Sequence, residues 1–193
     1  MSYSVERLTY GIGKINIAWT GMQSTIFLAF WRLMGSDVGR AAPLFFAIKT
    51  DRAQRDMTAA LAKSKLRSEP VLLERFTAAI GRIGKLAGRR NDFVHTMWTI
   101  DIANQLAEPW PPDSSRLEGK NLETEIEELY RDIGDIHGEL IECVAEIQKT
   151  VPEVPLTPFG TLSGPLAEWL AQHPEQAASD AEDDPPDNPT TRP

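Results

Sequence analysis

Arg90, Asn91 and His95 form the densest group of chemically capable residues in this chain, lying within about one and a half helical turns of each other. In a helix, Asn91 and His95 are an i, i+4 pair on one face, with Arg90 opening the same turn. Histidine titrates near neutral pH and can give or take a proton. Arginine keeps its charge and forks onto phosphate oxygens. Asparagine can orient the imidazole or hold a ligand oxygen, so the three suit chemistry on a phosphodiester. Asp92, inside the group, either pairs with Arg89 or caps the helix.

Positioning these residues is work for helices. Residues 14–34 form a long apolar helix that Gly35 closes. Asp37 and Ser36 offer caps to a second helical region with Pro43 near its start, and Thr50 or Asp51 caps its continuation after a bend near Lys49. Ser68, Glu69 and Pro70 mark another start, followed by a buried face of Leu72, Leu73, Phe76, Ala79, Ile80, Ile83, Leu86 and Ala87. Gly88 is either its cap or a kink. A further helix then carries the Arg90–His95 group, burying Phe93, Val94, Met97, Ile102 and Leu106 and ending before Pro109. Trp98, one turn past Val94, is placed to stack on that face.

Leu122, Ile126, Leu129, Ile133, Ile136, Leu140, Val144 and Ile147 recur at spacings of three and four, which specifies a long amphipathic helix ended by Pro152 and Pro155. No strand alternation and no repeat period are legible. The expected fold class is all-α, an antiparallel helical bundle of four to five main helices. Residues 1–150 make the bundle, residues 151–174 a linker with a short packing helix at 166–172, and residues 175–193 a disordered acidic, Pro-rich tail whose composition cannot offset ordering entropy.

The formal charge of −8 is unevenly spread. The stretch 49–90 holds eleven bases and four acids, and 113–149 holds eleven acids and four bases. Either two solvated helix faces pair with each other, or a basic surface attracts a polyanion and leads it to His95. Cys143 is the single cysteine, which excludes an internal disulfide framework and a Cys-based zinc cluster, and its place in a helical pattern makes it a buried, inert thiol. The start of the chain lacks a basic-then-apolar opening, so the expected location is cytoplasmic. The charge-free run at 15–31 is interrupted by Asn16, Thr20, Gln23, Ser24 and Thr25 and reads as a core helix before a membrane span. His137 and His173 read as packing or solvated residues, Trp110 and Tyr130 as possible stacking surfaces, and Gly11-Ile12-Gly13-Lys14 as flexible lead-in, since no strand precedes it.

The Arg-Asn-x3-His pattern resembles that of the HEPN superfamily, helical domains whose motif places a polar residue directly after the arginine. The similarity extends over roughly residues 14–150, through the helix order and a tryptophan shortly after the histidine; Thr96 stands where relatives commonly have a smaller residue. The resemblance implies a homodimer through the motif helix and metal-independent RNA cleavage, with no cofactor and no metal site. In that account His95 is the acid or base, Arg90 stabilises the phosphorane and Asn91 orients; Arg82, Lys85 and Arg89, from the basic stretch that leads into the motif, are the candidate RNA contacts. It also implies a role as toxin or effector in a toxin–antitoxin or defence system, with an antitoxin or regulatory partner. The alternatives are a catalytically inactive helical dimerisation module and, third, a membrane-associated helical protein.

Overall fold

Helical periodicity governs most of the chain. The computed structural model describes residues 3–110 and 115–151, all within one compact unit. A two-residue strand β1 (Tyr3–Ser4) leads into α1 (Val5–Met34), α2 (Val38–Ala47), α3 (Asp51–Lys65) and α4 (Pro70–Val94). Strands β2 (Met97–Asp101) and β3 (Leu106–Trp110) follow, and α5 (Leu122–Thr150) completes the order. The expected helix at 166–172, His173, the linker from 152 and the acidic tail lie outside the described residues.

Four of the helix boundaries have a clear local cause. Gly35 ends α1 in the left-handed region (φ 63°), its N–H donating to the Arg32 carbonyl at 3.1 Å. The Asp37 and Thr50 side chains accept from Arg40 N (3.1 Å) and Ala53 N (3.2 Å), capping α2 and α3, and the break between those helices falls where the sequence predicts a bend. Pro70 starts α4. Helix α1 begins earlier than expected, so Gly11-Ile12-Gly13-Lys14 is helical rather than lead-in. A Cβ on Gly11 would stand 2.8 and 2.9 Å from carbons of Ile126, so glycine here lets α1 and α5 approach closely.

The core forms where the apolar stripes meet. Ile15, Met22, Ile26 and Leu33 of α1 are buried, as are Phe76, Ile83 and Phe93 of α4 and Leu129, Ile133 and Leu140 of α5. Full burial of each such side chain contributes about 1.5–3 kcal/mol. Phe45 of α2 closes one side, its ring centroid 5.3 Å from both Phe27 and Phe30. Arg7–Glu123, Lys14–Glu127 and Thr25–His137 contacts show that α1 and α5 run in the same direction. Helix α4 runs antiparallel to α5.

That antiparallel pair resolves the segregated charge. Arg75 meets Glu146 at 2.8 Å and Glu142 at 3.4 Å, Arg82 meets Glu139, and Arg89 meets Asp132 at 2.6 Å, Glu125 at 3.6 Å and Glu128 at 3.8 Å. The α4 arginines of the basic run therefore face the acidic run of α5, whereas Arg52 of α3 pairs with Asp56 within its own helix. No helix among the described residues is long and apolar enough to cross a membrane.

Two further expectations are corrected. Gly88 neither caps nor ends a helix; α4 continues through it to Val94. The segment after His95 is not helical but a β-hairpin, paired from Met97↔Trp110 to Asp101↔Leu106. Met97 and Ile102 are consequently exposed, and Leu106 is half-buried, where a helix was expected to bury all three. With β1 the hairpin makes an antiparallel sheet in the order β1-β3-β2. Trp98, Thr99 and Ile100 favour the extended chain, and the Asp101 carboxylate accepts from Ala103 N, Asn104 N and the Asn104 side chain, fixing the turn. These hydrogen bonds hold the Asp101 carboxyl below its ordinary range. Pro109 is tolerated in the central strand because β1 pairs only with Leu106 and Ala107, leaving Pro109 one neighbouring strand instead of two.

Candidate functional site

Phe93 anchors the last turn of α4 in the core, and the side chains around it diverge. Arg90 turns toward α1. Its guanidinium donates to Asn16 Oδ1 at 3.1 Å and to Asn91 Oδ1 at 3.3 Å and lies 5.8 Å from the Trp19 ring centroid. Trp19 is itself held by an indole N–H donated to Asp51 Oδ2 at 3.2 Å. A chain of contacts thus joins α3, α1 and the end of α4. With its oxygen engaged by Arg90, Asn91 has its amide NH2 left to donate.

His95 is the C-terminal cap of α4, exposed, its backbone N–H donating to the Asn91 carbonyl at 2.9 Å. Thr96 follows and donates its hydroxyl to the Asp92 carbonyl, another of the last-turn acceptors. These residues form one side of an open groove of about 420 Å³. Asn91, Asp92, His95 and Thr96 come from the end of α4; Met97 and Trp110 come from the sheet, and Ser115 and Arg116 from the segment before α5. Arg116 reaches Asp92 at 3.6 Å, so Asp92 pairs with Arg116 and not with Arg89.

The structure therefore brings Asn91 and His95 together in the groove and places Arg90 behind its wall, linked to the groove through Asn91. Of the three candidate RNA contacts, Arg82 and Arg89 are engaged by α5 carboxylates, whereas Lys85 is exposed with no carboxylate partner among the described residues. Arg116 was not legible as a site residue, because nothing in its spacing reveals that the hairpin returns the chain to Asp92. Trp110, whose aromatic side chain the sequence offers as a stacking surface, lines the groove. Comparison with protein-family models, with curated proteins and with solved structures finds no match to this chain.

The remaining candidates have structural partners. His137 meets Thr25 Oγ1 at 2.9 Å, beside Gly21, where a Cβ would stand 3.3 Å from its ring. The Tyr130 ring packs under the Lys14 ammonium at 4.4 Å, and a hydrogen bond to Glu127 raises the Lys14 pKa. Cys143 is buried, which raises its thiol pKa. Among the described residues no group of three or more His, Cys, Asp or Glu side chains is arranged to hold a metal ion.

Proposed function

We propose that the chain is a HEPN-like endoribonuclease that cleaves RNA by metal-independent transesterification, acting as a homodimer and as the effector of a toxin–antitoxin or defence system. The observation that carries this reading is the exposed imidazole of His95 in a groove that also holds the Asn91 amide and the Arg116 guanidinium. His95 takes the proton of a ribose 2′-hydroxyl, and the 2′-oxygen bonds to phosphorus. The bond from phosphorus to the 5′-oxygen breaks, and that oxygen takes a proton from the imidazolium of the second copy. The products are a 2′,3′-cyclic phosphate and a 5′-hydroxyl. Asn91 donates to a phosphate oxygen, Arg90 positions Asn91, and a cation beside the groove offsets the charge of the phosphorane.

Purified protein incubated with mixed RNA in excess EDTA should yield cyclic-phosphate ends, and His95→Ala should yield none. Persistent cleavage by a folded His95→Ala protein would remove His95 from the reaction.

One observation favours the second reading, an inactive dimerisation module. The guanidiniums of Arg75, Arg82, Arg89 and Arg90 are all engaged within the protomer. On that reading Arg90→Ala changes stability or dimerisation and no RNA chemistry is ever seen.

A further inference from the structure

The Met97–Trp110 wall of the groove has no structural need to be apolar. These residues are register partners across β2 and β3, and they are 67% and 53% exposed. Trp19 and Trp31 spend their indole N–H groups on Asp51 and on the Ser36 carbonyl, and Trp98 packs on the core. Trp110 instead is half exposed and lines the same groove as His95. Beside it, the Arg116–Asp92 contact is 3.6 Å long and the Arg116 side chain is 79% exposed. Such a pair adds little stability, but it keeps a guanidinium over the groove with N–H donors to spare.

We propose that this wall is a nucleobase subsite, in which one unpaired base of a single-stranded RNA stacks on Trp110 while Arg116, tethered by Asp92, donates to the adjoining phosphate. The proposal rests on the endoribonuclease reading and adds a substrate class to it. A base inside a duplex is already covered on both faces and cannot offer one to Trp110, so the subsite selects unpaired segments. A groove of about 420 Å³ is near the low end of ligand pockets and fits one nucleotide better than a helix. Met97 supplies a polarizable neighbour that adapts to any base, so the subsite recognises the presence of a base more than its identity.

The test uses the full chain in EDTA and a fluorescein-labelled pool of random 2′-O-methyl octanucleotides, which lack the attacking hydroxyl, alongside an octamer of abasic units with the same phosphates. Anisotropy should show the base-bearing pool binding about tenfold or more tighter than the abasic one, a difference that Trp110→Ala abolishes and Trp110→Phe largely keeps. Arg116→Ala should weaken both probes. Circular dichroism melting checks that each variant is folded, which the exposure of both residues favours. If wild type cleaves RNA but Trp110→Ala binds as wild type does, or the abasic octamer binds equally well, the subsite is wrong and the endoribonuclease reading stands. If wild type neither cleaves RNA nor binds either probe, the endoribonuclease reading fails and takes the subsite with it.

Discussion

Replacing Arg89 by Gln separates a structural arginine from one that serves a polyanion. The Arg89 side chain is 34% exposed and is surrounded by Asp132, Glu125 and Glu128 at 2.6, 3.6 and 3.8 Å. Exposed pairs contribute about 0.2–1 kcal/mol each. Three around one guanidinium, together with the repulsion among the carboxylates left behind, give a loss of roughly 1–2 kcal/mol. For a domain of this size each kcal/mol lowers Tm by about 2–4 °C, so Arg89→Gln should melt about 2–8 °C below wild type in low salt. The difference should shrink in 1 M salt, where the Debye length falls to about 3 Å. Lys85→Gln is the control: it should leave Tm unchanged and, if RNA binds along α4, weaken that binding. Thermal melts by circular dichroism at two salt concentrations read both variants. An Arg89→Gln protein that melts like wild type in low salt would refute the pairing of α4 with α5 and return Arg89 to the candidate RNA contacts.

Three further predictions concern buried or strained groups. Arg55 is 6% exposed, its Nη1 has no hydrogen-bond partner, and burial lowers its pKa against the attraction of Asp51 and Asp56. Arg55→Met should therefore stabilise the domain, by about 1–3 kcal/mol if the whole cost of the unpaired group is recovered, as denaturant melts would show. Gln105 occupies the left-handed region at φ 53° in the hairpin turn, so Gln105→Gly should raise stability by about 1 kcal/mol, measured the same way. The Cys143 thiol is raised chiefly by burial, helped by Glu146, Glu139 and Glu142 and opposed by Arg75. The folded state therefore holds this proton more tightly than the unfolded chain. Stability from this group is complete below the ordinary thiol pKa and is lost as pH rises through the folded value. At pH 8 a thiol reagent should react with Cys143 only after denaturant is added, and fast reaction with the folded protein would contradict its burial.

The long helices were legible because their apolar residues repeat with the helical period over many turns. Ile126, Leu129, Ile133 and Ile136 of α5 and Phe76, Ile80 and Ile83 of α4 are buried where spacing places them. The start of α4 at Pro70 is legible from residue type, and so are the caps of α2 and α3 to within one residue, the structure choosing Asp37 over Ser36 and Thr50 over Asp51. The hairpin was not. Strands β2 and β3 have five residues each and one mostly exposed face, so their apolar residues lack the alternation that reveals a half-buried strand. Missing the hairpin also hid the groove, since Met97, Trp110 and Arg116 reach His95 only because the chain turns back at Asp101–Gln105. Arg90 shows a second limit. Its proximity to His95 in sequence says nothing of which way the side chain points, and Asn16 and Trp19 draw it toward α1, so that it does not line the groove.

The most direct measurement compares an RNA and a DNA of the same single-stranded sequence, each incubated with wild-type and His95→Ala protein in excess EDTA. Cutting of the RNA alone, by wild type alone, with 2′,3′-cyclic phosphate ends, is the result expected of His95 activating a 2′-hydroxyl. Equal cutting of the DNA, or undiminished cutting by His95→Ala, would contradict it.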